Sequence, residues 1–176
     1  TVHDLRVGGA ATAALVTGGA TTVSARVSGS RENDYRSLLV GAGLGRELAQ
    51  RTTQLELSFA ASLDEVGKRA DATFSRGRQS LQLTGSWTQV LDRRTYLDVV
   101  ADGLAVLGYQ ANPYRSVPIE GATTGLYRVE EATPTRRLGV ALVGRLRRAF
   151  DEAGHWFATI DYRFYADEWG VRSHTA

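Results

Sequence analysis

From Tyr96 to Leu107 the chain alternates apolar and polar residues with a period of two. Leu97, Val99, Ala101, Gly103, Ala105 and Leu107 form a series without charge, whereas Tyr96, Asp98, Val100, Asp102, Leu104 and Val106 include two carboxylates. Successive side chains of a strand point to opposite faces, while a helix repeats near 3.6 residues. A chain patterned in this way must build sheet with one apolar and one polar face.

The pattern recurs. In His155–Asp167, Trp156, Ala158, Ile160, Tyr162, Phe164 and Ala166 oppose His155, Phe157, Thr159, Asp161, Arg163, Tyr165 and Asp167. Gln54–Ser62, Ser80–Thr88 and Arg137–Arg147 alternate likewise, and Leu5–Leu15, Thr21–Ser30 and Arg36–Leu48 do so in a form diluted by glycine and alanine. This predicts about eight strands, each near the roughly 10 residues that cross an outer membrane at a tilt.

A soluble antiparallel barrel also alternates. The strands are long for that class, whose mode is about 5 to 6 residues. Gly18-Gly19, Ala49–Thr52, Asp92–Arg94 and Asp151–Gly154 read as tight turns, and Arg31–Tyr35, Glu65–Arg78 and Gly108–Thr135 as longer loops between them. Short turns on one side and long loops on the other suit a bacterial membrane barrel. The expected fold is therefore all-β, an antiparallel up-and-down transmembrane β-barrel, with residues 1–176 a single domain.

Composition narrows the alternatives. The chain is 43% hydrophobic and 23% charged, which fits a barrel that buries every second residue in lipid. No apolar run approaches the roughly 18 residues of a membrane helix. With 0 cysteines, disulfide scaffolds and thiolate metal sites are excluded. Lys68 is the lone lysine, and the arginines are scattered among Asp and Glu. That distribution lacks the basic patch of a nucleic-acid binder.

Patterned sequence begins at Thr1, without a charged segment leading into an apolar one, so the expectation is a processed or internal piece. If Gly18-Gly19 is a periplasmic turn, a strand is needed before the first and another after the last. An open edge in lipid costs several kcal/mol per unpaired backbone group. The full barrel is then expected to hold at least about ten strands, with this chain incomplete at both ends.

The candidate functional residues lie on the polar series. Asp98, Asp102, Arg137, Arg145, Arg147, His155, Asp161, Arg163 and Asp167 are expected to face the lumen. Arginines on one strand opposite Asp161 and Asp167 on the next would make favourable cross-strand pairs, and the same arginines could line an anion-favouring constriction. Asp167, Glu168 and His174 match no established metal spacing, so no metal or cofactor is expected. Ser173 and His174 are adjacent, hence on opposite faces, and there is no Gly-x-Ser-x-Gly elbow. No catalytic set is expected. Trp87, Trp156 and Trp169 lie near predicted strand ends, where barrels carry aromatic girdles.

Several segments resemble a known family. These are Gly108-Tyr109-Gln110-Ala111-Asn112-Pro113-Tyr114-Arg115-Ser116-Val117 and the run from Asp161-Tyr162-Arg163-Phe164-Tyr165 through Trp169 to Ser173-His174-Thr175. Pro134-Thr135-Arg136-Arg137, Ser30-Arg31-Glu32-Asn33-Asp34-Tyr35 and Ser62-Leu63-Asp64-Glu65-Val66 are similar too. Together, from about Ser30 to Thr175, they resemble DUF3570, a proteobacterial family of unknown function. The resemblance implies an outer-membrane barrel in a Gram-negative bacterium and implies no reaction.

The function expected is an outer-membrane structural or passive pore protein. Its partners would be membrane lipid and small polar solutes or ions. The alternative is a soluble lipocalin-like periplasmic barrel with its apolar face turned inward around a ligand.

Overall fold

A computed structural model describes residues 5–69, 71–121, 125–151 and 155–176. The chain is all-β. Its strands are β1 (Val7–Thr17), β2 (Thr21–Arg31), β3 (Tyr35–Leu48), β4 (Thr53–Lys68), β5 (Asp71–Asp92), β6 (Thr95–Gly108), β7 (Ser116–Gly121), β8 (Gly125–Glu130), β9 (Arg136–Ala149), β10 (Phe157–Asp167) and β11 (Arg172–Thr175). A 3-10 turn, Ala49–Arg51, joins β3 to β4.

Nine strands form one antiparallel sheet in the order β1-β2-β3-β4-β5-β6-β9-β10-β11, and β7 and β8 form a separate hairpin within the β6–β9 connection. The large sheet is thus a meander in chain order. It is open, with β1 and β11 at its two edges.

The register sorts the side chains. Val40, Ala61, Leu81, Ala105 and Leu138 form one continuous row, as do Leu44, Leu57, Gly85, Ala101, Leu142 and Phe164. Asp98, Arg145 and Asp161 share a row on the other face. The apolar face is the open one: Leu44 is 51% exposed, Val140 56% and Ile160 67%. On β3 every residue of the polar series is partly covered and every residue of the apolar series exposed. Val66 is the single buried hydrophobic among the described residues. One layer of sheet with no packed interior has to cover its apolar face with something else.

The strand ends step steadily across the sheet. Thr21 at the start of β2 is level with Arg46, Leu55, Trp87, Val99, Gly144 and Tyr162, yet β10 starts five residues lower, at Phe157. At about 3.3 Å per residue and about 4.8 Å per strand, this slope is about 30°.

Several expectations are corrected. The sheet has nine strands rather than about eight, and β7, β8 and β11 were unforeseen. Glu65–Arg78 is no loop: β4 continues to Lys68 and β5 starts at Asp71. Both series of this hairpin carry charged residues, so alternation vanishes while the backbone ladder goes on. Arg31–Tyr35 closes as a tight turn, with Glu32 N–H donating to the Tyr35 carbonyl at 2.7 Å. Among the described residues only the β6–β9 connection is long. The turn expected at Asp151–Gly154 lies mostly outside the described residues.

Candidate functional site

The polar face carries a network that the register assembles. Asp98, Arg145 and Asp161 stand directly opposite one another on β6, β9 and β10. Arg145 Nε donates to Asp161 Oδ1. Asp98 accepts from Thr88 Oγ1 at 2.8 Å. Asp102, one turn of the pleat away, accepts from Gln82 Nε2 at 2.9 Å and from Thr84. Arg147 donates to Thr159 Oγ1 at 3.2 Å and lies over the Tyr96 ring. Arg163 sits between Val143 and Thr175 on the same face.

A second cluster forms at the opposite end of β9 and β10. Asp167 is its hub, with a side chain 0% exposed. Its Oδ2 accepts from Arg137 Nη2 at 2.6 Å, Arg137 Nε at 2.9 Å and Tyr165 Oη at 2.9 Å. Its Oδ1 accepts the backbone N–H groups of Trp169 and Val171, each at 3.0 Å. A single carboxylate thereby holds β9, β10 and the turn into β11. Trp169 Nε1 donates to the Arg136 carbonyl at 2.7 Å, and its ring lies under the Arg137 guanidinium.

The predicted residues therefore separate into two groups, Asp98, Asp102, Arg145, Arg147 and Asp161 in one and Arg137 with Asp167 in the other, with Arg163 between them on the same face. His155 joins neither. It precedes β10 and pairs with Asp151, Nδ1 to Oδ2 at 3.2 Å. The alternation of residues 155–167 had drawn it into the strand, but the ladder begins only at Phe157. Ser173 is level with Tyr165 on the polar face and His174 with Phe164 on the apolar face. Tyr162 Oη and His174 Nδ1 are 2.6 Å apart there.

Sequence reasoning missed a third cluster. Arg78 faces Asp64 across β4 and β5, with Nε and Nη2 each 3.1 Å from Oδ2, and Arg78 Nη2 donates to Tyr35 Oη at 2.7 Å. It lies in the hairpin that had been read as a loop. The signal available was the polar parity of Asp64 and Arg78, which continues that of Gln54–Ser62 and Ser80–Thr88.

The long β6–β9 connection is tied back onto neighbouring turns. Asn112 Oδ1 accepts the N–H of Tyr114 at 2.9 Å, an Asx turn that suits Asn-Pro. Tyr114 Oη donates to Asp34 Oδ2 and accepts the N–H of Arg69 at 2.9 Å. Lys68 Nζ is 2.6 Å from Glu130 Oε1, and Tyr109 packs edge-on against Phe74. Asp34 holds the Tyr114 phenol above its ordinary 10.0, because the carboxylate favours the protonated hydroxyl. Gly108 enters this connection with φ +96°, and a Cβ there would strike the Gly77 carbonyl.

The segments that resemble the family converge in these clusters. Ser30–Tyr35 supplies Asp34 and Tyr35, Ser62–Val66 supplies Asp64, Asn112–Arg115 supplies Tyr114, and the last run supplies Tyr165, Asp167 and Trp169. No curated protein and no solved structure matches the chain. The family model described as "Protein of unknown function (DUF3570)" matches residues 1–77 and 67–176. Those two matches cover every residue from Thr1 to Ala176, and the chain belongs to the DUF3570 family.

Proposed function

We propose that this chain is wall of an outer-membrane β-barrel in a Gram-negative bacterium, with its apolar face in lipid and its polar face lining a passage for small polar solutes or ions. One observation carries the reading. The apolar face has a charge-free band with arginine at both borders. On β3, Arg36 and Arg46 face the same way, with Leu38, Val40, Ala42 and Leu44 between them. Ten residues at about 3.3 Å give about 33 Å, or about 29 Å along the normal at a 30° tilt, near the roughly 25 Å apolar band of such barrels. On β9, Arg136 and Arg148 bracket Leu138, Val140, Leu142, Gly144 and Leu146.

The crowding of the faces agrees. In a curved sheet the inner side chains shield one another, and here the polar series is the shielded one. A lipocalin-like barrel needs the reverse. The slope of the strand ends, about 30°, approaches the 35–45° tilt of closed barrels. In lipid the edges at β1 and β11 must find strand partners, since unpaired backbone groups there are costly.

The role is passive. On the polar face Arg78 pairs with Asp64, Arg137 with Asp167 and Arg145 with Asp161, and a wall of mixed Arg and Asp favours hydrated ions over apolar ligands. The test is to express the full-length protein with its signal peptide in a Gram-negative host and separate the membranes by density. Recovery in the outer membrane with heat-modifiable gel migration supports the reading. Recovery as a soluble periplasmic monomer overturns it.

A further inference from the structure

The charges on the apolar face are unevenly matched. Arg31 and Arg36 are direct register partners across β2 and β3, and both lie on the face of Val27, Leu38 and Val40. Like charges directly opposite each other are destabilising unless an anion lies between them. Glu65, level with Arg36 on β4, provides only partial relief. Its Oε2 is 3.6 Å from Arg36 Nη1, and its Oε1 accepts a hydrogen bond from Ser75 at 2.8 Å. Arg31 has no carboxylate within ion-pair distance among the described residues. The Arg36 side chain is 58% exposed. Immediately along the same face lie Leu38, 50% exposed, and Leu63, 58% exposed.

We infer that Arg31 and Arg36 form a binding site for the phosphate of a membrane-lipid headgroup, with the acyl chains lying along Leu38, Val40 and Leu63. Two guanidinium groups side by side present forked donors that match phosphate oxygens and offset its charge. The apolar band beneath them accommodates the chains of the same molecule, which a free anion would not use. The remaining borders of the band differ. Arg136 is neutralised by Glu168 at 3.4 Å, and Arg46 and Arg148 stand singly. This site rests on the membrane reading above.

The test uses the full-length protein, purified in a neutral detergent and shown to be folded by heat-modifiable migration. It is mixed with equal amounts of phosphatidic acid and phosphatidylcholine, and retained lipid is counted by native mass spectrometry. Phosphatidic acid should be retained preferentially, and the preference should fall about fivefold for each of Arg31→Gln and Arg36→Gln. Arg46→Gln should leave it unchanged. Inorganic phosphate at matching concentration should not displace the lipid.

Equal retention of both lipids by the wild type, or an undiminished preference in Arg31→Gln, overturns the site while leaving the membrane reading intact. Displacement by inorganic phosphate overturns the lipid assignment. A wild type that never enters membranes fails at the folding check, which separates failure of the barrel from failure of the site. Arg31→Gln alone keeps the test decisive if Arg36→Gln does not fold, because Arg36 pairs with Glu65 whereas Arg31 holds no ion pair among the described residues.

Discussion

Tyr165 lies over Gly139. A Cβ on Gly139 would fall 2.9 Å from the Tyr165 hydroxyl oxygen and 3.3 Å from its ring. Because the glycine leaves this space, the phenol can lean along β9 and reach Asp167. Gly139→Ala is expected to push the ring off its partner at a cost of about 1–2 kcal/mol. Tyr165→Ala in the Gly139→Ala background should recover part of that loss. Urea titration in lipid vesicles measures both, and additive losses would show that the two residues are uncoupled.

Asp167 gathers Arg137, Tyr165 and two backbone N–H groups on one carboxylate. Asp167→Asn keeps the size but leaves Arg137 without its anion and replaces an acceptor by a donor. The urea midpoint should fall further for Asp167→Asn than for Asp98→Asn, since the Asp98 carboxylate accepts a hydrogen bond from Thr88 where Asp167 accepts from Arg137, Tyr165 and two backbone N–H groups. Arg137→Met should lose less than Asp167→Asn, because removing the cation leaves the carboxylate its Tyr165, Trp169 and Val171 donors. The opposite ranking would remove Asp167 from the centre of the cluster.

The regularity of β6, β9 and β10 was legible because their polar series carries charge while Leu97–Leu107, Leu138–Leu146 and Ala158–Ala166 carry none on the apolar series. That arginines of β9 would face Asp161 and Asp167 followed from parity and chain order, whereas the pairing of Arg145 with Asp161 is set by register. Other features left no such trace. Residues 64–78 carry charge on both series, so a continuing hairpin reads as a loop. β11 spans only Arg172–Thr175, too short to establish a period. Asp64–Arg78 and Tyr114–Asp34 depend on register and on a long connection folding back, neither of which periodicity encodes. His155 shows the converse failure, since an alternation that continues past a strand end looks like more strand.

The tie between Tyr114 and Asp34 should be separable from the sheet. Tyr114→Phe removes the donor and is expected to cost about 1 kcal/mol or less, with little effect on global unfolding. The phenol is protonated when it donates, and its folded pKa is raised above 10.0. The tie is therefore fully present below pH 10 and lost as pH rises through the higher folded value. With 0 cysteines in the sequence, Ala111→Cys labelled with a fluorophore reports motion of the connection without background, with Tyr114 present or replaced by Phe. Release at alkaline pH in the Tyr114→Phe background as well would assign the transition to another group.

Val140, 56% exposed on the apolar face in the middle of the β9 band, gives the sharpest contrast between lipid and water. In a membrane, Val140→Arg should cost about 2–4 kcal/mol near the midplane. In a soluble protein the same substitution at an exposed site should change stability by no more than about 0.5 kcal/mol. Ala141→Arg, on the polar face beside it, should be tolerated in a water-filled lumen. Folding yield into phosphatidylcholine vesicles with both variants orders the faces directly. A loss at Ala141 with none at Val140 would turn the sheet inside out.

Arg145 stands between Asp98 and Asp161 and offsets two carboxylates at once. Arg145→Gln leaves both acids of the polar face without that cation. Reversal potentials of the full-length protein in planar bilayers should then move toward cation preference, and Asp161→Asn should move them the other way. The effect should fade at high salt, where the Debye length falls to about 3 Å at 1 M. Shifts of the same sign in both variants would place these charges away from the conducting path, since opposite changes in wall charge cannot then be what the ions sense.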